Sequence, residues 1–245
     1  MGGSLRQVPA LVVSGYLGSG KTTLVRHLLD DATARGIKLA IVSNEFGALG
    51  IDAALLGAST EVYVELEGGC VCCQLGDELL DTLTELREKV DPDRIVVETS
   101  GVALPYDTML NFWREPVARW ITDESAAVVV DAERVRDGRD LDGTFEDQVS
   151  SADLLIVNKT DLVEAGDLTA VHAALREIEP DAPIVDASYG RVDVDLLYPP
   201  DAGRSARDRS GAHDHDHAHD HARFASREIA APDGYDDHAL AAWSS

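Results

Sequence analysis

The stretch Gly15–Thr23 constrains this chain most, because it reads Gly-Tyr-Leu-Gly-Ser-Gly-Lys-Thr-Thr and fits the pattern G-x-x-x-x-G-K-[ST]. A short apolar run over residues 8–14 precedes it, as in a buried parallel strand, and apolar residues at helical spacing follow it. This strand–loop–helix context is typical of a phosphate-binding loop. The pattern therefore predicts an α/β fold of the P-loop NTPase type, with a mainly parallel sheet and helices on both faces.

The residue types in this loop suit phosphate and a magnesium ion. Glycines let the backbone curl so that its N–H groups point at phosphate oxygens, and the following helix adds its positive end. We expect the Lys21 ammonium to reach the outer phosphates in a catalytic role, and the Thr22 hydroxyl to bind Mg²⁺. The predicted nucleotide contacts in this loop are Gly15, Gly18, Ser19, Gly20, Lys21, Thr22 and Thr23.

An acidic residue, Glu98, ends the predicted strand 94–98 and is followed by Thr-Ser-Gly. An acid at the carboxyl end of a parallel strand lies at the ligand edge of such a sheet. We therefore expect Glu98 to hold the same Mg²⁺, directly or through water. The segment 44–60 lies one strand beyond the first helix, where nucleotide-sensing switches occur, and it contains Glu45, our candidate for orienting the attacking water.

A third motif, Asn158-Lys159-Thr160-Asp161, follows an apolar strand and is typical of a guanine-reading site. The Asp161 carboxylate would accept hydrogen bonds from the guanine N1–H and 2-amino group, which adenine cannot supply. The Lys159 stem would pack along the base. Backbone N–H groups at Ser188, after the next strand, complete the predicted pocket.

All three cysteines of the chain lie in one tetrapeptide, Cys70-Val71-Cys72-Cys73. Clustered thiols in a cytosolic chain favour metal or redox chemistry over disulfides. Three thiolates suit a soft or borderline ion, Zn²⁺ first, with a fourth position for a carboxylate, a water or a ligand from a partner. Buried structural cysteines and a redox pair stay open as alternatives. The candidate carboxylate ligands are Glu45, Glu65 and Glu67.

The chain is strongly acidic, with 45 acidic and 21 basic residues and a net charge of −24. This charge argues against a nucleic-acid partner, because phosphate backbones require a basic patch. An ordinary acidic protein and adaptation to a high-salt cytoplasm both account for it. No run approaches the about 18 apolar residues that a membrane span needs, and the first residues lack a signal-peptide core. We therefore expect a cytoplasmic protein with no membrane partner.

The composition changes after residue 198 to a stretch rich in Asp, Ala, Gly, Arg and Ser, which predicts a flexible linker over 199–222. Its five histidines alternate with small or acidic residues, and such a tract can gather divalent metal weakly. A tag or an inert linker is the alternative. Residues 223–245 are too few to bury a core of their own. The five histidines are His213, His215, His217, His219 and His221.

Together these motifs, above all Gly68-Gly69-Cys70-Val71-Cys72-Cys73, resemble the CobW-type GTPases, relatives of the HypB and UreG metallocentre-assembly GTPases. The resemblance covers roughly residues 8–190. It implies a SIMIBI-type P-loop fold, slow GTP hydrolysis and a metallochaperone that delivers Zn²⁺ or Co²⁺ to a client metalloprotein.

Carried over by position, the resemblance makes Cys70, Cys72 and Cys73 the metal-binding thiols. It makes Asn158, Lys159 and Asp161 the residues that bind guanine. The expected domains are a GTPase domain over 1–198, the His-rich linker, and a short remnant of the family's α+β C-terminal domain over 223–245.

Two other functions stay open on the sequence alone. A nucleotide-binding metal buffer or sensor would show metal affinity that does not depend on the nucleotide. A P-loop kinase for a small molecule would prefer ATP, against which the Asn158–Asp161 motif argues. A helix within residues 105–120 carries aromatic residues that predict either core packing or a partner face, such as a homodimer.

Overall fold

The computed structural model describes residues 6–43, 61–65, 72–139, 141 and 143–198, without the side chains of 61–65 and 72–75. Contacts divide the chain into residues 1–209 and residues 210–245, and the whole of the second unit lies outside the described residues. The predicted linker 199–222 and C-terminal segment therefore stay predictions. No helix in the described ranges is long and apolar enough to cross a bilayer.

The described residues contain seven strands, β1 (Val8–Ser14), β2 (Leu39–Ser43), β3 (Glu61–Glu65), β4 (Arg94–Glu98), β5 (Ile121–Asp131), β6 (Leu154–Asn158) and β7 (Ile184–Asp186). They are all parallel and form one sheet in the order β3-β2-β4-β1-β5-β6-β7. This arrangement confirms the predicted parallel α/β fold.

Helices cover both faces of the sheet because its strands are buried on both sides. These helices are α1 (Lys21–Arg35), α2 (Cys72–Lys89), α3 (Pro105–Phe112), α4 (Ala132–Arg136), α5 (Thr144–Ser150), α6 (Ala165–Ile178) and α7 (Val194–Leu197). Along β1, Ala10 and Val12 pack with α2 and α3, whereas Leu11 and Val13 pack with α1 on the opposite face. A third cluster joins β5 and β6 to α4, α5 and α6.

Several element boundaries differ from the sequence-based expectation. Helix α2 begins at Cys72 instead of residue 77, so two cysteines lie in its first turn. Strand β5 begins at Ile121 instead of residue 125, and its pairing with β1 shifts register between Pro9 and Leu11. Helices α4 and α5 were not predicted, because five and seven residues are too few for a periodic pattern.

The aromatic residues of 105–120 divide between core and surface. Phe112 and Trp120 are 1% and 4% exposed, which confirms their predicted place in the core. Trp113 is 48% exposed instead and contacts Tyr106 edge to face.

Candidate nucleotide-binding site

The loop between β1 and α1 has the backbone that the glycine pattern predicted. Gly15, Gly18 and Gly20 all have positive φ angles, of 135°, 75° and 106°. A Cβ on Gly15 would lie 2.2 Å from the carbonyl oxygen of Val129, and one on Gly20 would lie 2.2 Å from Nδ2 of Asn158. Both positions therefore exclude any side chain, for reasons of space as well as conformation.

Two buried polar groups in this loop suit an anionic ligand. The Lys21 side chain is 4% exposed, and its Nζ donates to the carbonyl oxygen of Gly15 at 2.9 Å. The hydroxyl of Ser19, 1% exposed, has no hydrogen-bond partner within the part of the chain that the structure describes. A buried hydroxyl without a partner is costly unless a ligand satisfies it, so the loop fits a phosphate group. Thr23 lies in the first turn of α1, exposed beside this loop.

The predicted magnesium ligands are hydrogen-bonded to each other. Oγ1 of Thr22 donates to Oε1 of Glu98 at 2.8 Å, and the hydroxyl of Ser43 donates to Oε2 at 3.4 Å. Glu98 is 1% exposed. Hydroxyl and carboxylate oxygens converging at the loop form the hard donor set that Mg²⁺ prefers, so the residues present fit this ion.

Ser43 is a site residue that the sequence reasoning missed. It ends β2, and the register pairs it directly with Glu98 at the end of β4. The sequence feature that could have indicated Ser43 is its position at the end of a strand. That feature was not enough, because only the strand order of the sheet shows that β2 lies next to β4.

On the base side, the Asn158 amide joins two loops. Its Nδ2 donates to the carbonyl oxygen of Ser19 at 2.9 Å, and its Oδ1 accepts from the N–H of Gly190 at 2.9 Å. Asn158 is 2% exposed, so both bonds are shielded from water. The structure thus shows this side chain bracing the phosphate loop against the 188–191 turn, while its contact with guanine stays a prediction.

The remaining residues of the guanine motif, 159–161, lie together on the loop after β6 and contact other loops. Nζ of Lys159 forms an ion pair with Oδ2 of Asp131 at 2.6 Å, and Asp131 also caps α4. Oγ1 of Thr160 is 3.0 Å from the hydroxyl of Ser188. Asp161 is exposed on the turn Thr160–Leu162. Asp131 was also missed from the sequence; its signal was an acid at the end of β5.

The predicted metal site lies mostly outside the described residues. Glu45, Glu67, Cys70 and the five histidines of 213–221 fall there, as do the side chains of Glu65, Cys72 and Cys73. The backbone of Cys72 and Cys73 opens α2. Across the rest of the described chain, His, Cys, Asp and Glu residues form no group of three or more that could hold a metal ion.

The chain matches the family model of the CobW/HypB/UreG nucleotide-binding domain over residues 9–186. A zinc chaperone CobW from Sinorhizobium sp is 34% identical over 221 residues, which cover 78% of this chain and 62% of the relative. The zinc chaperone YjiA of Escherichia coli is 32% identical over 201 residues, which cover 79% of this chain and 62% of the relative.

The crystal structure of Zn(II)-bound YjiA GTPase from E. coli superimposes with a TM-score of 0.62 at 29% identity, covering 79% of this chain and 61% of that one. The chain thus spans about three fifths of the length of these relatives. The matched range, residues 9–186, spans the glycine-rich loop, Glu98 and the Asn158–Asp161 motif of this chain. This chain belongs to the CobW/HypB/UreG family and contains its nucleotide-binding domain.

Proposed function

We propose that this protein is a GTP-binding and GTP-hydrolysing metallochaperone. It would bind Zn²⁺ or Co²⁺ at Cys70, Cys72 and Cys73, and couple the nucleotide state to delivery of the ion to a client metalloprotein. The observation that carries this proposal is a single connected site, in which Asn158 bonds the phosphate loop to the base-side turn. The zinc chaperone relatives support the choice of metal.

On the phosphate side, Lys21 would exchange the carbonyl oxygen of Gly15 for phosphate oxygens. Thr22 and Glu98 would hold Mg²⁺, which neutralises phosphate charge when bound. Hydrolysis then depends on positioning and on charge stabilisation by Lys21 and the loop N–H groups. We keep Glu45 as the candidate that orients the attacking water.

Two routes would connect this site to the thiols. Along the chain, residues 44–71 run from Ser43, which contacts Glu98, to the start of α2. Through the fold, Glu98 leads into residues 99–104 and α3, and Arg114 just after α3 forms an ion pair with Asp77 of α2 at 2.6 Å. GTP with Mg²⁺ would set the thiol arrangement through these routes, and hydrolysis would change it.

Three further predictions accompany the proposal. They are that a client metalloprotein receives the ion, that the protein forms a homodimer, and that it is located in the cytoplasm of a high-salt organism. The metal-buffer alternative differs from the proposal because its metal affinity would not depend on the bound nucleotide. The kinase alternative differs because it would prefer ATP to GTP.

The first test is Mg²⁺-dependent hydrolysis of GTP and ATP by the full chain, with Thr22→Val and Thr22→Ser as a matched pair. Valine keeps the shape of threonine but lacks its hydroxyl, whereas serine keeps the hydroxyl. We expect GTP to be the preferred substrate, about 10²-fold lower kcat for Thr22→Val, and near-normal kcat for Thr22→Ser. Equal use of ATP, or phosphoryl transfer to a small acceptor, would favour the kinase alternative.

A further inference from the structure

The turn at residues 188–191 has an unusual sequence for its conformation. Ser188 and Arg191 form an antiparallel bridge, and the Arg191 N–H donates to the Ser188 carbonyl oxygen at 3.1 Å. The two central residues, Tyr189 and Gly190, have φ angles of 56° and 66°. Two successive left-handed residues are typical of a type I′ turn, which prefers Asn-Gly or Asp-Gly. A tyrosine in the first position departs from this preference.

Folding alone does not account for Tyr189. A bulky residue in the left-handed region is conformationally strained, and strain of this kind concentrates at functional sites. The side chain is 71% exposed, so little burial offsets the strain. Gly190 is required by space, since a Cβ there would lie 2.7 Å from the backbone nitrogen of Leu24. An asparagine at 189 would satisfy the same turn without strain.

The turn is held directly against the guanine motif. The Gly190 N–H donates to Oδ1 of Asn158 at 2.9 Å, and the Ser188 hydroxyl lies 3.0 Å from Oγ1 of Thr160. Both chain neighbours of Tyr189 are therefore bonded to residues of the motif. The backbone of Tyr189 is therefore held in place beside the predicted base site, and its side chain is exposed there.

We propose that Tyr189 stacks its ring on the guanine base of the bound nucleotide. This inference rests on the proposed function, because it needs a guanine nucleotide in the site. Stacking on an aromatic ring tolerates any base, since every base has a π face. Asp161 therefore selects the base through hydrogen bonds, whereas Tyr189 contributes affinity.

The test compares Tyr189→Asn with Tyr189→Phe in the full chain, with Mg²⁺ present. Asparagine suits the turn but lacks the ring, and phenylalanine keeps it. Titration calorimetry would measure the Kd of GDP and of pyrophosphate, a probe without a base. For Tyr189→Asn we expect about tenfold weaker GDP binding, unchanged pyrophosphate binding and a melting temperature no lower than that of the wild type. Tyr189→Phe should bind GDP like the wild type.

Two control variants separate stacking from other effects. Leu196→Asn removes a 54% exposed apolar side chain at the opposite edge of the sheet, beside Pro9, and should leave GDP binding unchanged. Asp161→Asn should lower the preference for GDP over xanthosine diphosphate, whereas Tyr189→Asn should weaken both nucleotides equally.

The proposal is overturned if Tyr189→Asn binds GDP as the wild type does, or if it loses pyrophosphate to the same degree. A wild-type chain that fails to bind GDP would overturn the proposed function first, and this inference with it. The two failures are therefore distinguishable in one series of titrations.

Discussion

The two halves of the nucleotide site hold their polar groups in different ways. On the base side, both ends of the Asn158 amide are bonded to the backbone of other loops. On the phosphate side, Lys21 bonds a carbonyl oxygen of its own loop, and Thr22 bonds Glu98. The hydroxyl of Ser19 has no partner among the described residues. The base side is thus braced by the fold, whereas the phosphate side must exchange partners when a ligand binds.

This difference matches what each half has to recognise. Under the proposed function, the guanine base is the same in GTP and GDP, so a preformed pocket would serve both nucleotides. The outer phosphate and its Mg²⁺ differ between the two states, and only groups that change partners can respond to them. In the proposed mechanism, a signal from the nucleotide state would therefore begin on the phosphate side, at Thr22 and Glu98.

Gly20→Ala should have the largest effect, because Gly20 lies where the two halves meet. Its φ angle is 106°, and a Cβ would lie 2.2 Å from Nδ2 of Asn158. We expect a loss of about 3 kcal/mol in the free energy of unfolding, together with loss of nucleotide binding. Urea denaturation and titration with GDP would measure both.

Gly36→Ala is the matched control for this glycine. Gly36 has a φ angle of 67° at the end of α1, but nothing lies within 4 Å of its added Cβ. Gly36→Ala should lower the free energy of unfolding only by the cost of the left-handed backbone, about 1 kcal/mol, and should bind GDP normally. Equal losses for the two variants would contradict the close contact between the loop and Asn158.

Asn158→Ala should destabilise the fold by about 2 kcal/mol, because it leaves the Ser19 carbonyl and the Gly190 N–H buried without their partner. The matching variant on the phosphate side is Lys21→Met. It should abolish GTP hydrolysis but lower the free energy of unfolding by less than Asn158→Ala does. Thermal and urea unfolding would rank the two variants, and the reverse order would refute the contrast between a braced and an exchangeable half.

The smallest effect concerns Asp91, on the turn that leads into β4 at the edge of the sheet away from both halves. A hydrogen bond from the Arg6 guanidinium, 2.9 Å away, lowers the pKa of this carboxyl below its ordinary 3.8, and the charge of Arg87 adds to the effect. The resulting stability is present above pH 3.8 and is lost as the pH falls through the lower pKa of the folded state.

Asp91→Asn should therefore destabilise the fold at pH 7 by at most about 1 kcal/mol, since the side chain is 59% exposed. Asparagine tolerates the left-handed backbone there, with φ of 51°. The difference from the wild type in urea unfolding should shrink below about pH 4. A difference that does not change with pH, or an effect on GDP binding, would count against this assignment.

Much of the site was predictable because its motifs are local in sequence. The glycine pattern predicted a curled loop and the place of Lys21 and Thr22 in it, and a strand ending in an acid predicted the place of Glu98. The braces were not predictable. Contacts of Ser43 with Glu98, and of Asn158 with Ser19, depend on which strands are neighbours, and hydrophobic periodicity does not contain that information.

The start of α2 was the other failure of prediction. Leucine spacing identified its inner face from residue 79 onward, but Cys72 and Cys73 carry no helical pattern. Their place in the first turn matters for the proposed mechanism, since a rotation or extension of one helix end would move both cysteine positions together.

The most direct test of the central claim is the Zn²⁺ affinity of the full chain with Mg²⁺ and either a non-hydrolysable GTP analogue or GDP. Competition with a chromophoric chelator would measure it at low and high salt. Glutamine would replace the five histidines of 213–221, and Cys72→Ser would show that the signal comes from the thiols. We predict at least a tenfold difference between the two nucleotides, equivalent to about 1.4 kcal/mol of coupling. Equal affinities would contradict GTP-gated metal binding and favour the metal buffer.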